Sequence, residues 1–483
     1  MISMVSIMSV ILAFVAFGLA LVINAIPADL TTKIGITLLF ITGAYIFMIY
    51  NCMRKKGATN VLFIMLCLSV MFYYGQHIVA VFDSNYLLRN QTYSILDGKL
   101  PDNCIINASY LIIACMLLLT AAFLARRDAG DMVVFAENDL MLPSLENKLK
   151  ALKLVSAAFL LISVYPTVKY LSAQYALSQT YGYLGRRNLE VESNFFQILG
   201  VSYFEVSLSQ FFLPSLYGLM MSVKSKTGRV LTYALMIIYM VMYYMTGSRY
   251  NLLKMLVTVF LIRAIWIKPL NKKDFRKYIW VGVIIIVLFS IGSVLRNSGS
   301  GTINFDKVID ELSPSETLWE SGITFTTVSN VMDKCPAVVP FFYGKSWLGS
   351  VLQCLPDALR FGFFEENTLQ TSATFSHLYY NSTMFGYGSS FIAEGYYNFG
   401  ILVFPVMLFF GAFLRWINDK LKLAKQKSSP YLFLVLVYVC GELAYGVRND
   451  LSSVLRVTLS TVVVVIVVAY FVELTFKSRQ AQK

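Results

Sequence analysis

MVSIMSVILAFVAFGLALVINAI, residues 4–26, is an apolar run without a charged side chain. A helix rises 1.5 Å per residue, so about 20 such residues cross a hydrocarbon core of about 30 Å. The run has neither a basic stretch before it nor a convincing small-residue cleavage site, and it is expected to stay in the protein as a span. The rest of the chain repeats the theme. It is 57% hydrophobic and 14% charged with mean hydropathy +0.65, against about 25% charged in a soluble domain. Apolar runs recur at 4–26, 34–53, 60–81, 105–125, 151–172, 196–222, 229–246, 250–267, 278–296, 389–414, 430–447 and 451–476.

This pattern predicts an all-α, polytopic integral membrane protein with about 12 transmembrane helices. Residues 1–483 are expected to form a single membrane domain. One long extracytoplasmic loop, 297–388, joins the ninth and tenth spans and contains short helices. The sixth span is interrupted by Glu205 and Gln210, and Pro214 is expected to kink it. The long loop holds Trp319, Phe341, Phe342, Trp347, Phe361, Phe363 and Phe364, too aromatic a set for a disordered linker, so it should fold against the membrane. In SPSETLWESG, Ser313, Pro314 and Glu316 carry the signature of a helix start. LPDALRFGFF, from Leu355, reads as a short amphipathic helix near the anchor Trp347.

The net charge of +13 would suggest a nucleic-acid partner in a soluble protein. Here its distribution points to topology, and no nucleic acid is expected. Well over half of the 40 basic residues fall in alternate connections: 54–56, 126–153, 224–229, 263–277, 415–427 and 477 to the end. Cytoplasmic connections are enriched in Lys and Arg, so both termini are expected in the cytoplasm and 297–388 outside. The seven cysteines include no CxxC pair, and no metal site is expected. Cys335 and Cys354 share the long loop, but spacing alone does not establish bonding geometry. No internal repeat of the kind common in twelve-span transporters is visible.

Several basic residues break the one-sided pattern. Arg186 and Arg187 in GYLGRRNLE, Arg249 in TGSRYN, Arg296 in SVLRNSG, Arg448 in GVRND and Arg456 fall at the outer level, and Lys254 lies a little over one turn into its span. Each alone can snorkel to a head-group or pair with a neighbour such as Asp450. Together they suit an anion with two or more charges, because the planar guanidinium fork captures phosphate bidentately. Glu394 lies just inside a span in FGYGSSFIAEGYYNFG. An acidic side chain at the bilayer centre costs roughly 2.5–3.5 kcal/mol, less near the surface, so this carboxylate is either paired with an arginine or used. Helical spacing puts Glu394, Tyr397, Asn398 and Ile401 on one stripe. His377, in TFSHLYYN, is a second candidate base or an ordinary loop histidine. His77 reads as a packed helix residue.

TGSRYNLL at a hairpin between two spans, VLRN before the long loop and GYGSSFIAEGYYNFG opening the next span resemble the bacterial oligosaccharide repeat-unit polymerases, the Wzy-type enzymes of O-antigen and capsule assembly. The resemblance covers the whole topology. It implies an enzyme of the bacterial cytoplasmic (inner) membrane that joins undecaprenyl-pyrophosphate-linked oligosaccharide units by glycosyl transfer on the outer face, without a cofactor and without a metal. Donor and acceptor lipid-linked oligosaccharides, the bilayer and a chain-length regulator protein are the implied partners. By matching position, Arg249 and Arg296 would bind pyrophosphate and Glu394 would be the acidic residue. His377 loosely matches the loop histidine of the related ligases. The bottom-up reading agrees on chemistry, with Arg186, Arg187, Arg448, Arg456, Lys254, Tyr397 and Asn398 as further substrate contacts. A flippase of the same lipid-linked anion, or a ligase-like transferase, is the alternative reading.

The charge pattern makes a topological prediction. Single cysteines placed between Asn297 and Gly388 on a cysteine-free background should react with an impermeant maleimide in intact cells, and one at Lys272 should not. Protection of the whole loop with labelling at Lys272 would overturn the orientation.

Overall fold

The computed structural model describes residues 3–89, 94–125, 143–189, 195–247, 249–268, 313–352, 374–375, 378, 388–450 and 458–481. Its principal α-helices are α1 (Met4–Ala25), α2 (Leu30–Lys56), α3 (Val61–Phe82), α4 (Ser84–Arg89), α5 (Asp102–Phe123), α6 (Pro143–Leu189), α7 (Phe195–Leu199), α8 (Tyr203–Ser209), α9 (Phe212–Ser222), α10 (Lys226–Met245) and α11 (Arg249–Leu261). They continue with α12 (Pro314–Lys334), α13 (Lys345–Leu352), α14 (Phe391–Phe399), α15 (Val403–Gln426), α16 (Pro430–Tyr445) and α17 (Val463–Ala481). Among the described residues, 8 segments are long and apolar enough to cross a membrane, and α16 is a shorter apolar helix. The expected span 278–296 lies outside the described residues.

Local sequence sets the ends of these helices. Asp29 accepts from the Thr32 backbone N–H at the start of α2, and Asn60 accepts from Phe63 N–H at 2.8 Å at the start of α3. Such caps satisfy amide donors that the first turn leaves without intrahelical partners. Gly57, at φ 76°, ends α2, and Arg54, Lys55 and Lys56 occupy its last turn, where positive charge complements the helix dipole.

The sixth expected span departs from a single kinked helix. It is divided into α7, α8 and α9, with breaks at Gly200 and at Gln210–Phe211. Ser202 and Glu205 form a reciprocal capping box that starts α8 afresh. Pro214 then lies in the first turn of α9, where its missing N–H breaks no intrahelical bond, so it begins a helix rather than bending one. The expected outer connection 173–195 is also largely helical, because α6 runs on to Leu189.

The chain forms two compact units. The first comprises Met1–Asp131, Ser313–Asn418 and Leu443–Arg456, and the second Met132–Leu312, Asp419–Glu442 and Val457–Lys483. In the first unit α5 is buried nearly all round, with α1 and α2 packed against it and α2 and α12 packed against α3. In the second, α6 packs against α8, α9 and α17. Ser313 caps α12 and Pro314 opens it, as the SPSE signature predicts, and the helix is 21 residues long and packs along α3. Its buried face is rich in small hydroxyl residues, among them Thr317, Ser321, Thr324, Thr327 and Ser329. Two glycines set the approach. A Cβ on Gly75 would collide with the Leu318 carbonyl, and one on Gly322 would stand 2.5 Å from the Gln76 backbone nitrogen. Small residues of this kind let apolar helices pack backbone to backbone.

Gly75→Ala and Gly322→Ala should each lower the melting temperature of the detergent-solubilised protein, since forced overpacking costs about 1–3 kcal/mol. Gly43→Ala, where a Cβ meets nothing within 4 Å, should leave it unchanged or slightly raised.

Candidate functional site

The AEGYYNFG segment forms α14, and its two ends are built differently. At the N-terminus Ser390 is the cap, accepting from the Ala393 amide at 3.0 Å, which puts Glu394 in the first turn where a carboxylate complements the helix dipole. The residues leading into the helix are clamped by the turn after α16. Ser389 N–H donates to the Arg448 carbonyl at 3.1 Å and Phe391 N–H to that of Gly446 at 3.2 Å. Thr327 on α12 donates to the Gly388 carbonyl at 2.7 Å.

At the C-terminus the helix stops at Gly400, whose φ of 56° breaks the expected single span into α14, a short 3-10 turn and α15. The Phe341 ring fills the space a side chain would need there, with Cζ 2.7 Å from the position of a Cβ. This break corrects the stripe expected from spacing. Glu394, Tyr397 and Asn398 are buried, while Ile401, past the break, is 62% exposed. The carbonyls that α14 leaves open find donors: Gly400 N–H reaches Tyr396, and Phe342 and Tyr343 N–H reach Tyr397 and Asn398, each at 2.9 Å. Aromatic packing holds the same end. Phe342 stacks on Tyr397 with centroids 4.9 Å apart, the Phe375 and Tyr397 rings meet edge to face at 5.3 Å, and Trp347 and Phe399 at 5.1 Å. One face of Tyr397 is thus covered by Phe342.

Glu394 is 1% exposed. Ser346, on α13, donates to its Oε1 at 2.8 Å. The Asn398 amide nitrogen donates to Ser346 Oγ at 2.7 Å and to the Glu394 carbonyl at 2.8 Å, and its Oδ1 accepts from Gly344 N–H at 2.9 Å. Asp450 is buried in the adjoining turn, close enough to Glu394 for the two carboxylates to interact. Burial first, and then the negative Glu394, push the Asp450 carboxyl above the ordinary carboxylate range. Arg448, in the same turn, directs Nη1 at the Ser321 and Glu320 carbonyls and Thr324 Oγ1, at 3.4–3.5 Å, and lies over the Phe72 ring at 5.7 Å.

The other sequence candidates fall as follows. In the second unit Arg186 is buried and donates to the Thr246 carbonyl at 2.8 Å and to Gln174 Oε1 at 3.3 Å, so it braces the turn that leads to Arg249. Arg187 is part of α6 and Arg249 opens α11. Lys254 is ion-paired with Glu442 at 3.0 Å, a partner that sequence spacing did not reveal. Arg296, Arg456, His377 and Cys354 lie outside the described residues. His77 is packed, as expected, with Nε2 2.8 Å from Ser109 Oγ and its ring edge to face with Phe325 at 4.4 Å. Ser346 and Asp450 were not singled out from sequence as site residues. The serine hydroxyl gives no sequence signal, and from sequence Asp450 reads only as an ion-pair neighbour of an arginine. Among the described residues no group of three His, Cys, Asp or Glu side chains is placed to hold a metal ion.

No curated protein and no solved structure matches the chain. It does match the family described as O-antigen polysaccharide polymerase Wzy, over residues 5–479. That span takes in both units, every apolar helix and the buried Glu394 site. The chain therefore belongs to the O-antigen polysaccharide polymerase Wzy family, as a multi-pass membrane glycosyltransferase that joins lipid-linked oligosaccharide repeat units into a polysaccharide.

Proposed function

We propose that polymerisation takes place on the outer face of the bacterial cytoplasmic membrane, with undecaprenyl pyrophosphate as the lipid carrier and Glu394 as the general base. The chain crosses about twelve times in this reading, with both termini cytoplasmic and 297–388 outside. The one-sided basic connections support that orientation. Outside the cytoplasm neither ATP nor nucleotide sugars are at hand, so the donor must arrive already activated. Glu394 takes the proton of the acceptor hydroxyl as its oxygen attacks the anomeric carbon of the donor sugar. The bond from that carbon to the phosphate oxygen breaks, and lipid pyrophosphate leaves with the electron pair. Arg249, Arg296, Arg448, Arg187 and Arg456 neutralise the pyrophosphate in place of a metal ion, while Lys254 is held by Glu442 and Arg186 by the Thr246 carbonyl. A chain-length regulator acts on the same membrane assembly.

The observation that carries the assignment is the setting of Glu394. The carboxylate is buried on the first turn of a helix whose two ends are both pinned by backbone hydrogen bonds, and a hydroxyl donates to it. A rigid element positions a proton acceptor more reliably than a loop does. Glu394→Gln keeps the shape and removes the basicity. It should lower single-turnover polymerisation of labelled donor by about 100-fold or more while donor binding persists, and His377→Ala should lower it less. An active Gln variant with a dead His377→Ala variant would make the loop histidine the base. Arg249→Lys and Arg296→Lys keep charge but lose the fork, and each should reduce activity with normal insertion. Normal rates in both would leave these arginines as anchors.

The raised Asp450 carboxyl gives a pH dependence. The folded protein holds this proton to higher pH than the unfolded chain does, so the group's contribution to stability falls as pH rises above the ordinary carboxylate pKa of about 4. Melting curves in detergent should show that decline in the wild type and a flatter profile in Asp450→Asn.

A further inference from the structure

Ser346 lies on α13 and not on the helix that carries Glu394, yet it donates a hydrogen bond to Glu394 Oε1. A serine hydroxyl has one proton and can turn it toward any acceptor. Here its direction is determined by three links. Gly344 N–H can only donate, so the Asn398 oxygen must face it, at 2.9 Å. The Asn398 amide nitrogen then faces the opposite way, donating to the Glu394 carbonyl and to Ser346 Oγ. Ser346 Oγ, accepting from Asn398, donates its proton to Glu394 Oε1 at 2.8 Å. Ser346 and Asn398 are both almost fully buried, so bulk water does not compete for these bonds.

We infer that Ser346 and Asn398 form a positioning relay for the catalytic carboxylate, in which the backbone amide of Gly344 sets the polarity and the Ser346 hydroxyl fixes the rotamer of Glu394. This rests on Glu394 being the base. Asn398 then acts through Ser346 instead of touching the sugar. The relay also ties the base to the 341–344 segment, which holds the C-terminal end of α14 through the Tyr397 and Asn398 carbonyls. The loop thereby takes part in orienting the proton acceptor.

The test compares two variants of nearly equal shape, Ser346→Thr and Ser346→Val, because any packing strain from the added methyl is shared and only the hydroxyl differs. Full-length protein in detergent is assayed with the native lipid-linked repeat unit purified from cells that lack the polymerase. The expected result is a kcat at least about tenfold higher for the Thr than for the Val variant, with KM within about twofold of wild type in both. Asn398→Ala should cost kcat in the wild-type background and much less in the Ser346→Val background, the non-additivity of residues acting in series. Equal kcat for the Thr and Val variants, or an Asn398→Ala variant whose KM rises with kcat intact, would overturn the relay. Glu394→Gln is assayed beside them. If it is fully active the base assignment itself has failed. If it is dead while the Thr and Val variants are equal, only the relay has.

Discussion

A helix that ends among membrane-spanning elements leaves carbonyl oxygens in need of donors, and the site depends on how that need is met at Gly400. Irregular backbone at membrane depth is tolerated where protein surrounds it. Here the Phe342 and Tyr343 amides supply the donors, and the Phe341 ring occupies the side of Gly400 that has no side chain. The interruption that shortens α14 also brings the 341–344 segment against it. Tyr343 and Gly344, at φ 47° and 82°, turn the chain so that α13 begins beside the break and Ser346 faces Glu394.

Charge is handled by the same logic of local satisfaction. Lys254 has Glu442, Lys169 has Glu205 at 2.8 Å, and the buried Arg186 has a backbone carbonyl and a glutamine. Glu394 accepts from the Ser346 hydroxyl and lies beside a second carboxylate, Asp450. Burial first, and then the neighbouring Glu394, push the Asp450 carboxyl above its ordinary range.

The first unit is held together by close backbone approach as much as by apolar bulk. Gly75 and Gly322 let α12, with its many hydroxyl side chains, lie along α3, and Gln76 bridges the contact by donating to the Trp319 carbonyl at 3.3 Å and accepting from Ile95 N–H at 2.9 Å. Arg448 reaches carbonyls of that same helix, so α12 links the α3 side of the unit to the turn that clamps the start of α14.

The sequence by itself determined the helical, membrane-spanning class, the N-cap at Ser313, the packed nature of His77 and the prominence of Glu394, because hydropathy, caps and a carboxylate at a span edge are local properties. It could not show that α12 packs along a span, since its hydroxyl-rich face reads as polar until two glycines from distant segments meet. Nor could spacing foresee the end of the Glu394 stripe, because the break at Gly400 depends on Phe341 arriving from some 60 residues earlier. Only the tertiary structure decided that Lys254 belongs to Glu442 and that Ser346 and Asp450 flank Glu394. Those pairings join groups far apart in the chain, and their distances exist only once the helices have packed.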